Sequence, residues 1–188
     1  MAYKPTDVIA GGDGYSEAVE RIRAAMEPIP WLEKAFGRAF LLPERLNDEV
    51  YQYPQVYLGK GEYFNVMPND QYKSYSWVIG IGAGEIADDT IQPFSVADRF
   101  IKETHVLVYA NLQRVDKTKE YIYTDDLVAD VVAALSKVPG FIIQEYYVES
   151  LDDVYGDYTT KEIDRDLLMY PYAGIRIVGD LSYNIKTC

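Results

Sequence analysis

The run Arg99–Leu112, R-F-I-K-E-T-H-V-L-V-Y-A-N-L, constrains this chain more than any other stretch. Thr104, Val106 and Val108 alternate there with His105, Leu107 and Tyr109. A period of two in β-branched and aromatic residues is a strand signature, and it sends the two sets to opposite faces of a sheet. Both sets are apolar enough to be covered, so the fold is expected to form around a sheet with this strand well inside it.

The flanking sequence supplies the helices. Ser16 opens S-E-A-V-E-R-I-R-A-A-M as an N-cap with Glu17 in the first turn, and Ala18, Val19, Ile22 and Met26 recur near helical spacing until Pro28 and Pro30. A second helix spans Thr124–Val138, capped by Thr124 or Asp125, with Asp125 and Asp126 at the positive end of its dipole. Leu127, Val128, Val131, Val132 and Leu135 form its apolar stripe, and Pro139-Gly140 stops it. Phe141–Glu149 then reads as a strand, and so does the closing A-G-I-R-I-V-G-D-L-S-Y-N-I. Gln55–Met67 fits one strand or a tight hairpin around Gly59 and Gly61, and a short strand lies around Ser76–Ile81. Trp31–Leu42 suits either a short helix or an extended segment carrying Phe36 and Phe40 inward.

The fold class that follows is α+β: a single mixed or antiparallel sheet with two helices packed on one face, plus long loops and an N-terminal arm. The arm is residues 1–15, where Pro5, Gly11, Gly12 and Gly14 disfavour a helix or central strand. Residues 16–188 form one domain, with long loops at about 68–99 and at 151–167, the latter rich in Asp and Glu. A chain of this length can bury roughly 70% of its unfolded surface, so it needs no staples. Cys188 is the only cysteine, which rules out an internal disulfide and suits a reducing compartment. Neither a signal peptide nor a run of 18 apolar residues is read, so no membrane partner is expected.

Composition narrows function. A net charge of −12 opposes gripping nucleic acid by its phosphates, though not a surface that DNA slides past. Tyrosine stands out, with 18 Tyr against 6 Phe and 2 Trp, an amphipathic aromatic suited to half-buried strands and subunit interfaces. The predicted interface anchors are Tyr3, Tyr15, Tyr72, Tyr75, Trp77, Tyr155 and Tyr158.

Chemistry is sparse. His105 is the only histidine and sits within a strand, where a packed or surface role outweighs a catalytic one. One His and one Cys cannot build an ordinary zinc site. Gly80-Ile81-Gly82-Ala83-Gly84 lacks both the G-x-G-x-x-G spacing and a following helix, so it reads as a loop and not as a phosphate cradle. The pairs Asp88-Asp89, Asp125-Asp126 and Asp152-Asp153 lack the D-x-D-x-D-G ladder of a calcium loop and read as solvated charge. No catalytic, cofactor-binding or metal residue is nominated, and the chain is expected not to be an enzyme.

The order of these elements, with Y-P-Q-V-Y-L, E-T-H-V-L-V-Y, D-D-L-V-A-D-V-V-A-A-L and D-L-S-Y-N-I at its successive stations, resembles the tail-terminator family of tailed bacteriophages. A ring protein in the tail barrel of a crAss-like podovirus is a related resemblance. The likeness spans most of Ser16–Ile185, while the arm, the 68–99 segment and the acidic loop exceed a minimal terminator. It implies a virion subunit assembled in the bacterial cytoplasm: a homo-oligomeric ring, hexamer or dodecamer, joining portal or connector to tail proteins while DNA passes through the lumen. Two alternatives stand beside it. One is a small ligand- or nucleotide-binding enzyme domain using the 80–84 glycine loop; the other is a host-directed phage adaptor.

Overall fold

The computed structural model describes residues 14–46, 49–68, 71–86, 99–159 and 167–184. In chain order the elements are α1 (Gly14–Met26), β1 (Lys34–Leu46), β2 (Glu49–Gly59), β3 (Glu62–Asn65), β4 (Ser74–Gly80), β5 (Glu85–Ile86), β6 (Arg99–Asn111), α2 (Leu112–Val115), α3 (Thr124–Leu135), β7 (Phe141–Tyr147), α4 (Leu151–Tyr155) and β8 (Tyr172–Asn184). One mixed sheet runs β3-β2-β1-β4-β6-β8-β7, with β5 pairing β6 beyond the end of β4. β1 and β4 lie parallel, and the other described pairs are antiparallel.

The alternation along β6 builds both layers. Val106, Val108 and Ala110 point to one face with Val78, Ile175, Ile177 and Leu181, where the stripes of α1 (Ala18, Val19, Ile22, Met26) and α3 (Leu127, Val128, Val131, Leu135) cover them. Each Val, Leu, Ile or Met side chain among them contributes roughly 1.5–3 kcal/mol when taken fully out of water. Leu107 and Tyr109 point the other way and join Tyr75, Trp77, Ile79, Tyr155 and Tyr158 in a second core. This is the α+β arrangement expected, with α1 and α3 together on one face of a single sheet.

On the far face Val154 and Tyr155 of α4 and Tyr158 of the turn that follows it pack with Trp77, in one cluster with Phe36 and Ala39 of β1 and Tyr51, Tyr53 and Val56 of β2. The turn after α4 forms a strap held to β2 at Thr159, whose N donates to Gln52 O at 3.1 Å and whose Oγ1 accepts from Gln52 N at 3.0 Å. Among the described residues no helix is long and apolar enough to cross a membrane.

Several local expectations are corrected. Helix α1 is already formed at Gly14, so Ser16 lies within it and is not its cap. Ser16 Oγ instead accepts from Arg38 Nη1 at 3.1 Å. The N-cap of α3 is Tyr123, one residue before the expected pair, and it makes no side-chain capping bond. The ambiguous Trp31–Leu42 stretch is extended from Lys34 as β1, paired parallel to β4 and antiparallel to β2; Phe36 is buried as expected, but Phe40 is exposed and not carried inward. The hairpin reading of Gln55–Met67 holds as β2–β3, although β2 begins earlier, at Glu49, and runs through Pro54. The acidic stretch contains α4, capped by Ser150 Oγ accepting from Asp153 N. Residues 1–13, 87–98 and 160–166, including Asp88 and Asp89, lie outside the described residues.

Candidate functional site

The expected interface tyrosines are mostly core residues. Tyr15, Tyr75, Trp77, Tyr155 and Tyr158 are buried within the chain, which removes them as anchors for a partner. The physical reason is that each ring fills a core position, and four of the five have polar tips that find partners inside. Tyr75 Oη donates to Met67 O at 2.7 Å, Trp77 Nε1 donates to Tyr158 Oη at 3.1 Å, and Tyr15 Oη bonds Thr104 Oγ1 at 3.0 Å. Tyr72 is half-buried against Phe36, Phe64 and Tyr75, with Lys34 Nζ 5.9 Å from its ring centre. Tyr3 lies outside the described residues.

The glycine loop is likewise explained by packing. A Cβ at Gly80 would meet Tyr15 Oη at 2.5 Å, and one at Gly84 would meet Tyr183 Oη at 2.9 Å. Gly82 takes φ +64, a turn conformation that favours glycine. Two of the three glycines therefore make room for tyrosines. The acidic pairs that are described sit at helix starts, Asp125-Asp126 on α3 and Asp152-Asp153 on α4, where the dipole favours them.

A buried polar cluster joins β6, β8 and the turn after α4. His105 and Arg176 are both buried on the α4 face of the sheet. His105 Nε2 lies 2.7 Å from Glu103 Oε1, and its Nδ1 lies 4.0 Å from Asp157 Oδ2. Arg176 Nη2 donates to that same Asp157 oxygen. Burial, and then the neighbouring Arg176 charge, outweigh the two carboxylates and hold the imidazole below its ordinary pKa. The lowered pKa favours the neutral imidazole, whose Nε2 faces Glu103 Oε1 while the buried Nδ1 has no hydrogen-bond partner among the described residues. The adjacent hydroxyl, Thr104, points to the opposite face and is engaged by Tyr15. The arrangement ties the α4 strap to the sheet; it does not align a nucleophile with a base. Its sequence signals were the i, i+2 placement of Glu103 and His105 and a lone arginine within I-R-I-V; neither names Asp157.

Ten large apolar side chains are exposed among the described residues; Tyr121, Ile122, Leu151 and Met169 lie off the strands, and the other six lie towards the two ends of the sheet. On one side Phe40, Val50, Tyr57 and Tyr63 are exposed on β1, β2 and β3, with the Tyr57 and Tyr63 rings 5.1 Å apart. On the other, β7 exposes Ile142 at 63% and Tyr146 at 54%. None of these six was among the anchors expected from sequence, because alternation gives a face but not whether a strand ends the sheet. No family model matches the chain, and no curated protein matches it in sequence.

Proposed function

We propose that this chain is a structural subunit that assembles head to tail with copies of itself into a ring in the neck or tail of a tailed bacteriophage. The observation that carries the reading is the presence of exposed large apolar side chains towards both ends of one sheet, Tyr57 on β2 and Tyr63 on the outermost β3 at one end, and Ile142 and Tyr146 on β7 at the other. Two different ends meeting give a heterologous contact, and such contacts close into rings when the rotation allows. Isolated exposed apolar residues are ordinary on a monomer, and Tyr121, Ile122, Leu151 and Met169 are exposed off the strands, but the six towards the two ends of the sheet fit a contact surface.

The virion setting comes from the resemblance in element order. It supplies the portal or connector above, tail proteins below, and a hexameric or dodecameric copy number. A net charge of −12 supports a lumen that DNA crosses without adhering, since like charge repels the phosphate backbone. In this reading the chain performs no catalysis, and the His105–Asp157–Arg176 cluster serves the fold.

Negative-stain electron microscopy and mass photometry of the purified chain, alone and mixed with connector and tail proteins, test the proposal. Rings with an open lumen are the expected result. Monomers throughout at high concentration, with no binding to those proteins, overturn it.

A further inference from the structure

Glu103, Asp180 and Ile142 lie side by side in register on β6, β8 and β7, and His105, Val178 and Glu145 form the next row on the same face of the sheet. Glu103 and Asp180 are therefore directly opposite each other, a placement of like charges that destabilises a sheet. No cation offsets it. Glu103 bonds His105, Asp180 accepts from Gln144 Nε2 at 2.6 Å, Glu145 accepts from Tyr147, and among the described residues none of the three has a Lys or Arg within ion-pair distance. Arg176 is engaged by Asp157. Beneath these carboxylates His105 is buried, and its Nδ1 has no hydrogen-bond partner among the described residues. The surface is negative, uncompensated, and bordered by the exposed Ile142.

The opposite end of the sheet carries the complement. β2 and β3 are joined by a two-residue turn, Lys60-Gly61, with φ +53 and +82. Hairpin turns with two positive φ values favour Asn, Asp or Gly in the first position, so lysine holds a cation at the tip against the local preference. Lys60 is exposed and has no ion-pair partner among the described residues, and Tyr57 and Tyr63 beside it are exposed with ring centres 5.1 Å apart. Gly61 N donates to Tyr57 Oη at 3.2 Å, which ties one of the rings to the turn. Charge separates the two ends as well. Residues 34–65 carry four Lys or Arg and four Asp or Glu, whereas residues 141–159 carry five Asp or Glu and no Lys or Arg. In a chain of net charge −12, the hairpin end is therefore the one that can approach the acidic rows without repulsion.

We propose that the Lys60 tip of the β2–β3 hairpin of one copy of this chain docks on the acidic rows of β6, β8 and β7 of the next, with the Lys60 ammonium among Glu103, Asp180 and Glu145 and the two tyrosine rings covering Ile142. β2–β3 and β8–β7 stand at opposite ends of one sheet, so each subunit gives a tip and receives one. The inference rests on the assembly reading above, and names the contact through which one subunit engages the next.

Charge exchange in the full chain tests it, with self-association read by sedimentation velocity. Lys60→Asp reverses the tip with a residue the turn accepts, and Glu145→Lys with Asp180→Lys reverses the receiving face. Each variant chain alone is expected to weaken assembly at least about tenfold, because like charges then meet, while its melting transition stays in place. An equal mixture of the two is expected to regain assembly, since the reversed tip finds the reversed face and each remaining contact is that of the parent. Lys60→Asp assembling as well as the parent overturns the inference and leaves the ring reading standing, and so does a mixture no better than its components. If the reversed face does not fold, Lys60→Asn and Lys60→Asp decide: a graded loss is expected, and no loss overturns the inference. A face whose reversal abolishes assembly while Lys60→Asp is silent takes a different basic partner, which also overturns it. Monomers from the parent chain at every concentration bring down the ring reading itself.

Discussion

Trp77 on β4 donates its indole N–H to the hydroxyl of Tyr158, 3.1 Å away, fastening the centre of the sheet to the strap that follows α4. Both residues are buried, and Tyr155 stacks on the same indole with ring centres 6.5 Å apart. Tyr158→Phe removes the acceptor and leaves a buried N–H without a partner, which is expected to cost about 1–3 kcal/mol. At this chain length that lowers the melting temperature by roughly 2–4 °C per kcal/mol. Urea unfolding of the variant measures the loss, and an unchanged midpoint would show that the bond contributes nothing.

Tyr155→Phe should behave in the opposite way. The Tyr155 hydroxyl is fully buried and has no hydrogen-bond partner among the described residues, so removing it frees the fold from a desolvated polar group. Phenylalanine keeps the ring. The expected outcome is a neutral to stabilising change of up to about 1 kcal/mol, in contrast to its neighbour three residues on. A loss equal to that of Tyr158→Phe contradicts this.

Gly80 and Tyr15 are expected to be coupled. In Gly80→Ala the added methyl meets Tyr15 Oη at 2.5 Å, with Lys102 Cε at 2.7 Å beside it, and such overpacking typically costs about 1–3 kcal/mol. Tyr15→Phe removes the nearest atom along with its bond to Thr104. Gly80→Ala is therefore expected to cost less in the Tyr15→Phe background than in the parent, as a double-mutant cycle by urea denaturation would read. Additive effects would mean that the methyl is accommodated elsewhere.

His105 sets a sign for pH dependence. Its folded pKa lies below the unfolded value near 6.5, so the unfolded chain takes up more protons as pH falls. Its contribution to stability is complete above about pH 6.5 and is lost as pH drops through the lowered folded value. His105→Gln should flatten this. Comparing urea midpoints at about pH 7.5 and about pH 5.5, the parent is expected to lose more stability than the variant; an equal loss would assign the dependence to the carboxylates.

Much of the fold is legible in the sequence wherever one period rules a segment. Thr104–Ala110 alternates cleanly, and the α3 stripe repeats at helical spacing, so both elements are read with their faces. β1 is harder, because Gly37 interrupts its pattern. A Cβ there would lie 2.7 Å from Glu20 Oε1 of α1, the far end of a flexible side chain, near the register shift between Ala35 and Arg38. The tyrosines mislead for a different reason. A phenol suits a wet interface or a core that offers it a carbonyl, and only the fold reveals that Tyr75 reaches Met67 O. Asp157 joins His105 and Arg176 through a strap whose path no local pattern encodes.

The position of β8 bears on how the protein is made. It follows every other described element in the chain yet lies inside the sheet, bonded to β6 on one side and β7 on the other. While the ribosome is still adding residues before Tyr172, β6 and β7 both have open flanks, and the α1–α3 layer lacks Ile175, Ile177 and Leu181 to rest on. Non-local pairing of this kind slows folding and leaves sticky intermediates. The nascent polypeptide should therefore gain its protection from proteases in one late step, when the final strand slides into the slot kept for it.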